Sequence, residues 1–236
     1  MTRSQAHIDT REALLDAAEA LFSSKGYAAV GIREITDAAG VNIASIKYHF
    51  GSKSELYLET VKRAMERSET AASWEVLREG LTEPLEAATV LVRFIHQFMD
   101  RHMAPDTPSP VCSLILHEAA EPTDAIDSVV RDFIEPHVRR HTEVLRVLVP
   151  DADERQLSLH SQSIMGQVLH YRVLKPVLER LGVGNLTDRE QIRTLADHIA
   201  RFSLLGLGCR PELVEQAIKN AARARPEAGV NERKPR

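Results

Sequence analysis

The sequence contains little cysteine, few aromatic residues and no long apolar run. Cys112 and Cys209 are the only cysteines among 236 residues, and their separation fits neither a zinc site nor a disulfide framework. The longest uncharged apolar stretch, FSLLGLGC at 202–209, is far shorter than a membrane-spanning helix. We therefore expect no metal, no membrane partner and a reducing, cytoplasmic environment.

An excess of positive charge is absent too. The chain has 30 lysines and arginines against 34 aspartates and glutamates, a formal net charge of -4. Such a balance excludes a surface that holds nucleic acid by overall charge alone. Any site for a polyanion must therefore be local.

The apolar pattern predicts an all-α fold. Apolar residues recur at intervals of three and four, and no alternating run of β-branched residues appears. Composition and breaks divide the chain into an N-terminal helical domain at 9–69, a larger helical bundle at 84–222, and a charged tail at 225–236 that we expect to be disordered.

Capping residues predict the first helix boundaries. Asp9 with Glu12 is expected to open a helix that ends at Lys25-Gly26. Gly40 is expected to turn the chain after a short helix, and Asn42 to cap the next one. Ser52 with Glu55 forms a capping box for a long helix that continues to about Trp74. Further helices are predicted at 84–103, 110–120, 123–149 with a break at Pro136, 153–181 with a disturbance near Pro176, and 188–208 opened by Thr187 and Glu190.

The segment VNIASIKYHFGSK at 41–53 carries two lysines, a histidine and a tyrosine but no acidic residue. Two short helices joined by a glycine turn, at about 32–51, have the geometry of a helix-turn-helix whose second helix enters the major groove. Acidic side chains are expected to be missing there because they would face phosphates. The residues predicted to contact DNA are Arg33, Ile43, Ala44, Ser45, Lys47, Tyr48, His49 and Lys53.

The sequence around this segment resembles a known family. ALLDAAEALFSSKGYAAVGIREITDAAGVNIASIKYHFGSKSELY is similar throughout to the N-terminal domain of tetracycline-repressor-type (TetR) transcriptional regulators. The resemblance implies a homodimer, an inverted-repeat operator, a C-terminal domain that binds a small-molecule effector, and repression as the usual outcome. This sequence departs from many members of the family at Val30 and Gly31, where those members carry Ser or Thr. It also departs from them at Lys47.

The second half shows a weaker similarity. PTDAIDSVVRDFIEPHVRRHTEVLRVLV and LHSQSIMGQVLHYRVLKPVLERLG resemble the C-terminal domain of the subgroup that contains the regulator of cephalosporin and chloramphenicol sensitivity. The resemblance implies that 84–222 binds the effector and forms the dimer. Candidate effector contacts, chosen as an apolar set with a few polar anchors, are Trp74, Phe94, Phe98, His102, His117, Gln162, Met165, Tyr171 and Arg172.

Two helical stripes are candidates for the dimer interface, through a four-helix arrangement of two helices from each chain. The alternative is that both stripes only close the core of one protomer. The stripe residues are Leu157, Ile164, Val168, Ile192, Leu195, Ile199 and Phe202.

The remaining patterns give weak support for other functions. HEAAE at 117–121 lacks the second histidine of a zinc helix, and His137 with His141 is interpreted as part of a solvated basic face. Nucleophile elbows, phosphate loops and dinucleotide fingerprints are absent from the sequence, so we predict no cofactor and no enzyme activity. A helical protein-interaction module that binds an acidic partner, or an uncharacterised helical enzyme, remains the alternative.

Overall fold

The structure is a computed structural model that describes residues 3–67, 80–103 and 110–224, with side chains from residue 9 onward. All regular elements in these ranges are helices, which confirms the all-α prediction. The candidate effector residue Trp74 and the tail 225–236 lie outside the described residues.

Four helices form the N-terminal part, and further helices follow in the described ranges 80–103 and 110–224. The N-terminal helices are α1 (Arg3–Ala29), α2 (Ile32–Ala39), α3 (Ala44–Phe50) and α4 (Lys53–Arg67). The others are α5 (Pro84–Met103), α6 (Pro110–Ala120), α7 (Ile126–Val129), a π-helical turn (Val130–Ile134), α8 (Glu135–Leu148), α9 (Glu154–Val173), α10 (Lys175–Arg180), α11 (Arg189–Gly206) and α12 (Pro211–Arg223).

By packing, the chain divides into two compact units. The described part of the first comprises 3–67, 101–103 and 110–139, and that of the second comprises 80–100 and 140–224. This division differs from the predicted domains 9–69 and 84–222, because α6 packs against α1 and α4. The N-terminal helices therefore share a core with part of the second half of the sequence.

Local capping signals position the N-terminal helices. Gly40 adopts a left-handed conformation, with φ 67°, that an L side chain disfavours. The Asn42 side chain accepts from the Ala44 N–H at 2.9 Å, and Ser52 Oγ accepts from the Glu55 N–H at 3.1 Å. These predictions are confirmed.

Other predicted boundaries are wrong. The first helix begins at Arg3, so Asp9 lies inside it and not at its start. The chain kinks at Gly26, with φ 78°, where the end of the helix was predicted. The N-cap of α11 is Asp188, which accepts from Gln191 N–H at 3.0 Å, whereas Thr187 donates to Asn185 Oδ1 at 2.6 Å.

The break between α7 and α8 also differs from the prediction. It is the π-helical turn Val130–Ile134, and Pro136 is the second residue of α8. Proline is tolerated in a first helical turn because its missing N–H has no intrahelical partner there. The disturbance predicted near Pro176 is confirmed, since α9 ends at Val173 and Pro176 lies in the first turn of α10.

The core of the first unit anchors the short helix α3. Ile46 is 2% exposed and Phe50 is 6% exposed, so two side chains of the short helix α3 are anchored in the core. The same cluster contains residues of α1, α2, α4 and α6, among them Leu14, Phe22, Ile35, Leu56, Tyr57, Val111 and Leu114.

A buried hydrogen-bonded carboxylate joins α4 to α6. Tyr57 Oη donates to Glu118 Oε2 at 2.7 Å, and both side chains are buried. The other Glu118 oxygen accepts from Thr123 N–H at 2.8 Å and Thr123 Oγ1 at 2.9 Å. Burial, and then the Glu118 carboxylate, raise the pKa of Tyr57, so the phenol stays a donor.

The core of the second unit contains most of the residues predicted for the dimer interface. Leu157, Ile164, Val168, Ile192 and Ile199 are each buried within one chain, and Leu195 is partly buried. Of the seven predicted interface residues, Phe202 alone is largely exposed, at 63%. Most of both stripes therefore packs within one protomer, and the outward faces of α9 and α11 carry exposed side chains.

Glu118→Ala is expected to lower the free energy of unfolding by about 2 kcal/mol, because Tyr57 Oη and the Thr123 donors lose a buried acceptor. Urea denaturation followed by circular dichroism measures the change. The exposed neighbour Glu121 is the matched control, and Glu121→Ala should leave stability within about 0.5 kcal/mol. Equal stability of the two variants would contradict the assignment.

Candidate nucleic-acid interface

The turn between α2 and α3 is fixed by backbone hydrogen bonds. Gly40 N–H donates to Asp37 O at 3.2 Å and Val41 N–H donates to Thr36 O at 3.0 Å. Thr36 is itself buried, and its Oγ1 donates to Arg33 O at 3.0 Å. The turn therefore holds α3 at one orientation on α2.

The outer face of α3 is exposed while its inner face is buried. Tyr48 is 75% exposed and Ile43, just before the helix, is 49% exposed. Ala44 and Lys47 are exposed and Ser45 and His49 are partly buried. The exposed face therefore presents small, apolar, aromatic and basic groups side by side.

The C-terminal end of α3 is equally well defined. Gly51 has φ 82°, and its N–H donates to Ile46 O at 3.2 Å and to Lys47 O at 3.1 Å. A Cβ at Gly51 would lie 2.3 Å from Glu55 Oε2. The Arg11 guanidinium lies 5.1 Å from the Phe50 ring centre, a favourable cation–π contact with α1.

Charge around α3 favours a polyanion. Arg33 is exposed on α2, and residues 41–53 carry lysines without an acid. Glu34, in the first turn of α2, forms an ion pair with Lys25, and the Lys25 hydrogen bond holds the Glu34 pKa below its usual value. Each charge of that pair offsets the other, which leaves the cations Arg33 and Lys47 against the exposed Asp37 of α2.

Lys53 is tied to the protein more closely than the sequence indicates. Its Nζ donates to Tyr27 O at 2.6 Å and lies 4.1 Å from the centre of the Tyr27 ring. Burial lowers the pKa of Lys53. Lys53 therefore links the start of α4 to the end of α1 in addition to any role toward DNA.

Known proteins share both halves of the sequence. Residues 87–207 match the family model for the HTH-type transcriptional dual regulator CecR, C-terminal domain, and residues 14–60 match that for bacterial regulatory proteins of the tetR family. The chain belongs to the TetR family. It is a DNA-binding transcriptional regulator, as are the relatives it matches.

Individual relatives cover different parts of the chain. CecR of Shigella flexneri is 26% identical over 178 residues, which cover 71% of this chain and 78% of CecR. The repressor NicS of Pseudomonas putida is 33% identical over 100 residues, or 42% of this chain and 46% of NicS.

Solved structures support the TetR fold. AmtR of Mycobacterium smegmatis has a TM-score of 0.55 at 21% identity, covering 92% of this chain and 95% of AmtR. A transcriptional regulator of Aquifex aeolicus has a TM-score of 0.50 at 18% identity, covering 82% and 96% of the two chains.

The predicted effector residues are distributed over both compact units. His102 and His117 belong to the first unit, where the His117 ring lies against Gly26. Phe94 and Phe98 are buried in the second unit with their ring centres 5.8 Å apart. In the same unit, Gln162 is exposed, whereas Met165, Tyr171 and Arg172 are partly buried.

The sequence pattern predicts a solvated face for His141, and this prediction is wrong. The side chain is 0% exposed, its ring centre lies 5.3 Å from that of Phe94, and Nδ1 is 2.8 Å from Ser161 Oγ. Burial lowers the His141 pKa to about 4, so the imidazole is neutral at neutral pH. Its helical spacing from His137 does not reveal which face is buried.

The outward faces of α9 and α11 carry several exposed apolar side chains beside a shallow concavity. Exposed apolar side chains include Leu159 and Val173 on α9 and Phe202 and Leu205 on α11. The concavity between the two helices has a volume of about 300 Å³ and is lined by Gly166, Gln167, His170, Tyr171, His198 and Ile199.

The described residues contain neither a candidate metal site nor a membrane-spanning helix. Across 3–67, 80–103 and 110–224, no three histidine, cysteine or acidic side chains group closely enough to hold a metal ion. None of the helices described has the length and apolar character needed to cross a membrane.

Lys47→Ala is expected to lower affinity for a specific duplex by about 1–3 kcal/mol while changing affinity for a scrambled duplex much less, the result expected of a side chain that contacts a base edge. Fluorescence anisotropy at about 0.15 M salt measures both affinities. Lys62, exposed on α4 outside 41–53, is the matched control. An equal loss for both duplexes would mean that Lys47 contacts phosphates only.

Proposed function

We propose that this chain is a homodimeric repressor that binds an inverted-repeat operator through α3 and leaves it when a small molecule binds the second unit. The observation that carries the proposal is the exposed, acid-free face of α3, anchored by the buried side chains of Ile46 and Phe50. The bacterial family supports cytoplasmic action. NicS is named a repressor and CecR a dual regulator, which favours repression without excluding a second role.

Each exposed side chain of α3 has a part in DNA recognition under this proposal. Ala44 and Ser45 are small enough to let the helix backbone approach the bases, and Ile43 can contact a thymine methyl group. Lys47 reads a base edge, while Tyr48, His49 and Arg33 donate to phosphate oxygens.

Lys53 contributes to the same surface in a second way. Its ammonium group has three donors, and Tyr27 O accepts one of them. The remaining donors lie at the start of α4, where the helix N-terminus also favours an anion. We infer that Lys53 contacts a phosphate while keeping α4 attached to the end of α1.

The second copy of the chain is proposed to cover the outward faces of α9 and α11. A two-fold axis would pair this surface with itself, and the exposed Phe202 and Leu205 are apolar groups that gain by burial. Gln167 Nε2 donates a hydrogen bond to Ser203 Oγ at 3.3 Å, so this contact joins the two helices within one protomer. A rigid two-helix surface suits an interface that sets half-site spacing.

An effector can release the protein from DNA only if it binds two conformations of the protein with different affinities. A small molecule shifts the chain away from the DNA-bound state only by as much as it prefers another conformation. In a dimer, a modest change in the separation of the two α3 helices is sufficient, because both must fit half-sites at one fixed spacing.

Selection of bound fragments from a pool of random duplexes at about 0.15 M salt tests the proposal. We expect an enriched inverted repeat whose half-sites lie about one helical turn, or a multiple of it, apart. Enrichment of a single half-site would contradict dimeric binding. Folded, ligand-free protein that enriches no sequence would point to a protein-interaction module or an enzyme.

Phe202→Glu is expected to convert the dimer to a monomer at micromolar concentration, because it places two charges close to the two-fold axis inside an apolar surface. Light scattering coupled to size exclusion measures the mass. Leu85→Glu, which adds the same charge at a partly exposed site on α5, should remain dimeric. A dimeric Phe202→Glu variant would rule out this surface as the interface.

A further inference from the structure

His141 presents an unusual atom to the interior of the second unit. With Nδ1 held by Ser161, the other ring nitrogen, Nε2, is buried and has no hydrogen-bond partner among the described residues. Ser161 is buried as well, so water does not reach this pair from the surface. Buried polar atoms in proteins are nearly always satisfied, and one that is not requires an explanation.

A second such atom is carried by α5, the helix that contributes Phe94. Gln97 follows Phe94 by one turn of α5, and its Oε1 is buried without a partner in the described part of the chain. Phe94 contacts the His141 ring and pairs with Phe98. Helix α5 therefore carries a second unmatched polar atom one turn from the phenylalanine that contacts His141.

The chemistry of these groups selects the kind of molecule that can satisfy them. Gln97 Oε1 accepts and needs a donor, whereas His141 Nε2 donates or accepts according to which tautomer Ser161 stabilises. A hydroxyl or an amide can do both at once. Because burial keeps the imidazole neutral and the Gln97 oxygen repels negative charge, a carboxylate is a poor partner.

We propose that His141 and Gln97 form the polar end of the effector site, against Phe94 and Phe98, for an uncharged aromatic or similarly apolar molecule with one hydroxyl or amide group. The inference rests on the proposed effector-responsive function and names the ligand class. It adds His141 and Gln97 to the residues predicted from the sequence.

The test compares p-cresol with toluene, which differ by one hydroxyl, on the full-length chain. Saturation-transfer NMR titrations are expected to show p-cresol bound about tenfold more tightly than toluene, the effect of one buried hydrogen bond. 4-Methylbenzoate is expected to bind more weakly than p-cresol. Equal binding of p-cresol and toluene, or tighter binding of 4-methylbenzoate, overturns the proposal.

Substitutions test whether His141 and Gln97 cause the preference for p-cresol over toluene. His141→Phe and Gln97→Leu keep the apolar wall and should each reduce the preference for p-cresol to about twofold or less. The matched controls His160→Phe on α9 and Gln216→Leu on α12 replace the same residue types at partly buried and exposed positions, and should keep the full preference. A preference retained in both site variants overturns the proposal.

A direct readout remains if His141→Phe does not fold. In the unaltered chain labelled with ¹⁵N-histidine, p-cresol should shift the His141 Nε2 resonance and toluene should not. An unchanged resonance overturns the proposal, as does failure of both probes to bind, which is the result expected if an internal water joins the two atoms. Failure of the DNA selection would instead sink the proposed function and leave the p-cresol preference intact.

Discussion

The burial of Ile46 and Phe50 beneath α3 is the constraint on which the DNA-binding surface depends. A helix of seven residues is too short to be stable alone, so its orientation comes from these two anchors and from the turn at Gly40. The buried face determines the exposed one, because side chains three and four positions apart share a side of a helix. Packing therefore determines that Lys47 and Tyr48 are exposed. Because no acidic side chain lies in the same segment, this surface suits a polyanion.

The same core extends beyond the N-terminal helices. The hydrogen bond from Tyr57 to Glu118 and the contacts of α6 with α1 and α4 place part of the CecR-like match in the unit that carries α3. A change in the position of α6 would be transmitted to α4 through a buried carboxylate that cannot give up its partners cheaply. Stability and control of DNA binding would then depend on the same few contacts.

The sequence was informative where a structure is determined locally. Gly40, Asn42 and Ser52 act within a few residues, so the helix-turn-helix and its exposed residues could be predicted. The N-cap of α11 was harder to predict, because Asp188 and Thr187 are adjacent and only packing decides which of them caps the helix. The faces of α9 and α11 could not be assigned because both sides carry apolar residues. Pairs such as Tyr57 with Glu118, 61 residues apart, and His141 with Ser161, 20 apart, leave no local pattern.

Methylation interference on a selected duplex tests the central claim, that α3 reads the major groove from a dimer. Methyl groups on guanine N7 lie in the major groove, and those on adenine N3 lie in the minor groove. The account predicts interference by guanine N7 methylation in two patches related by the symmetry of the repeat, with little effect at adenine N3. Interference confined to adenine N3, or to a single patch, would contradict it.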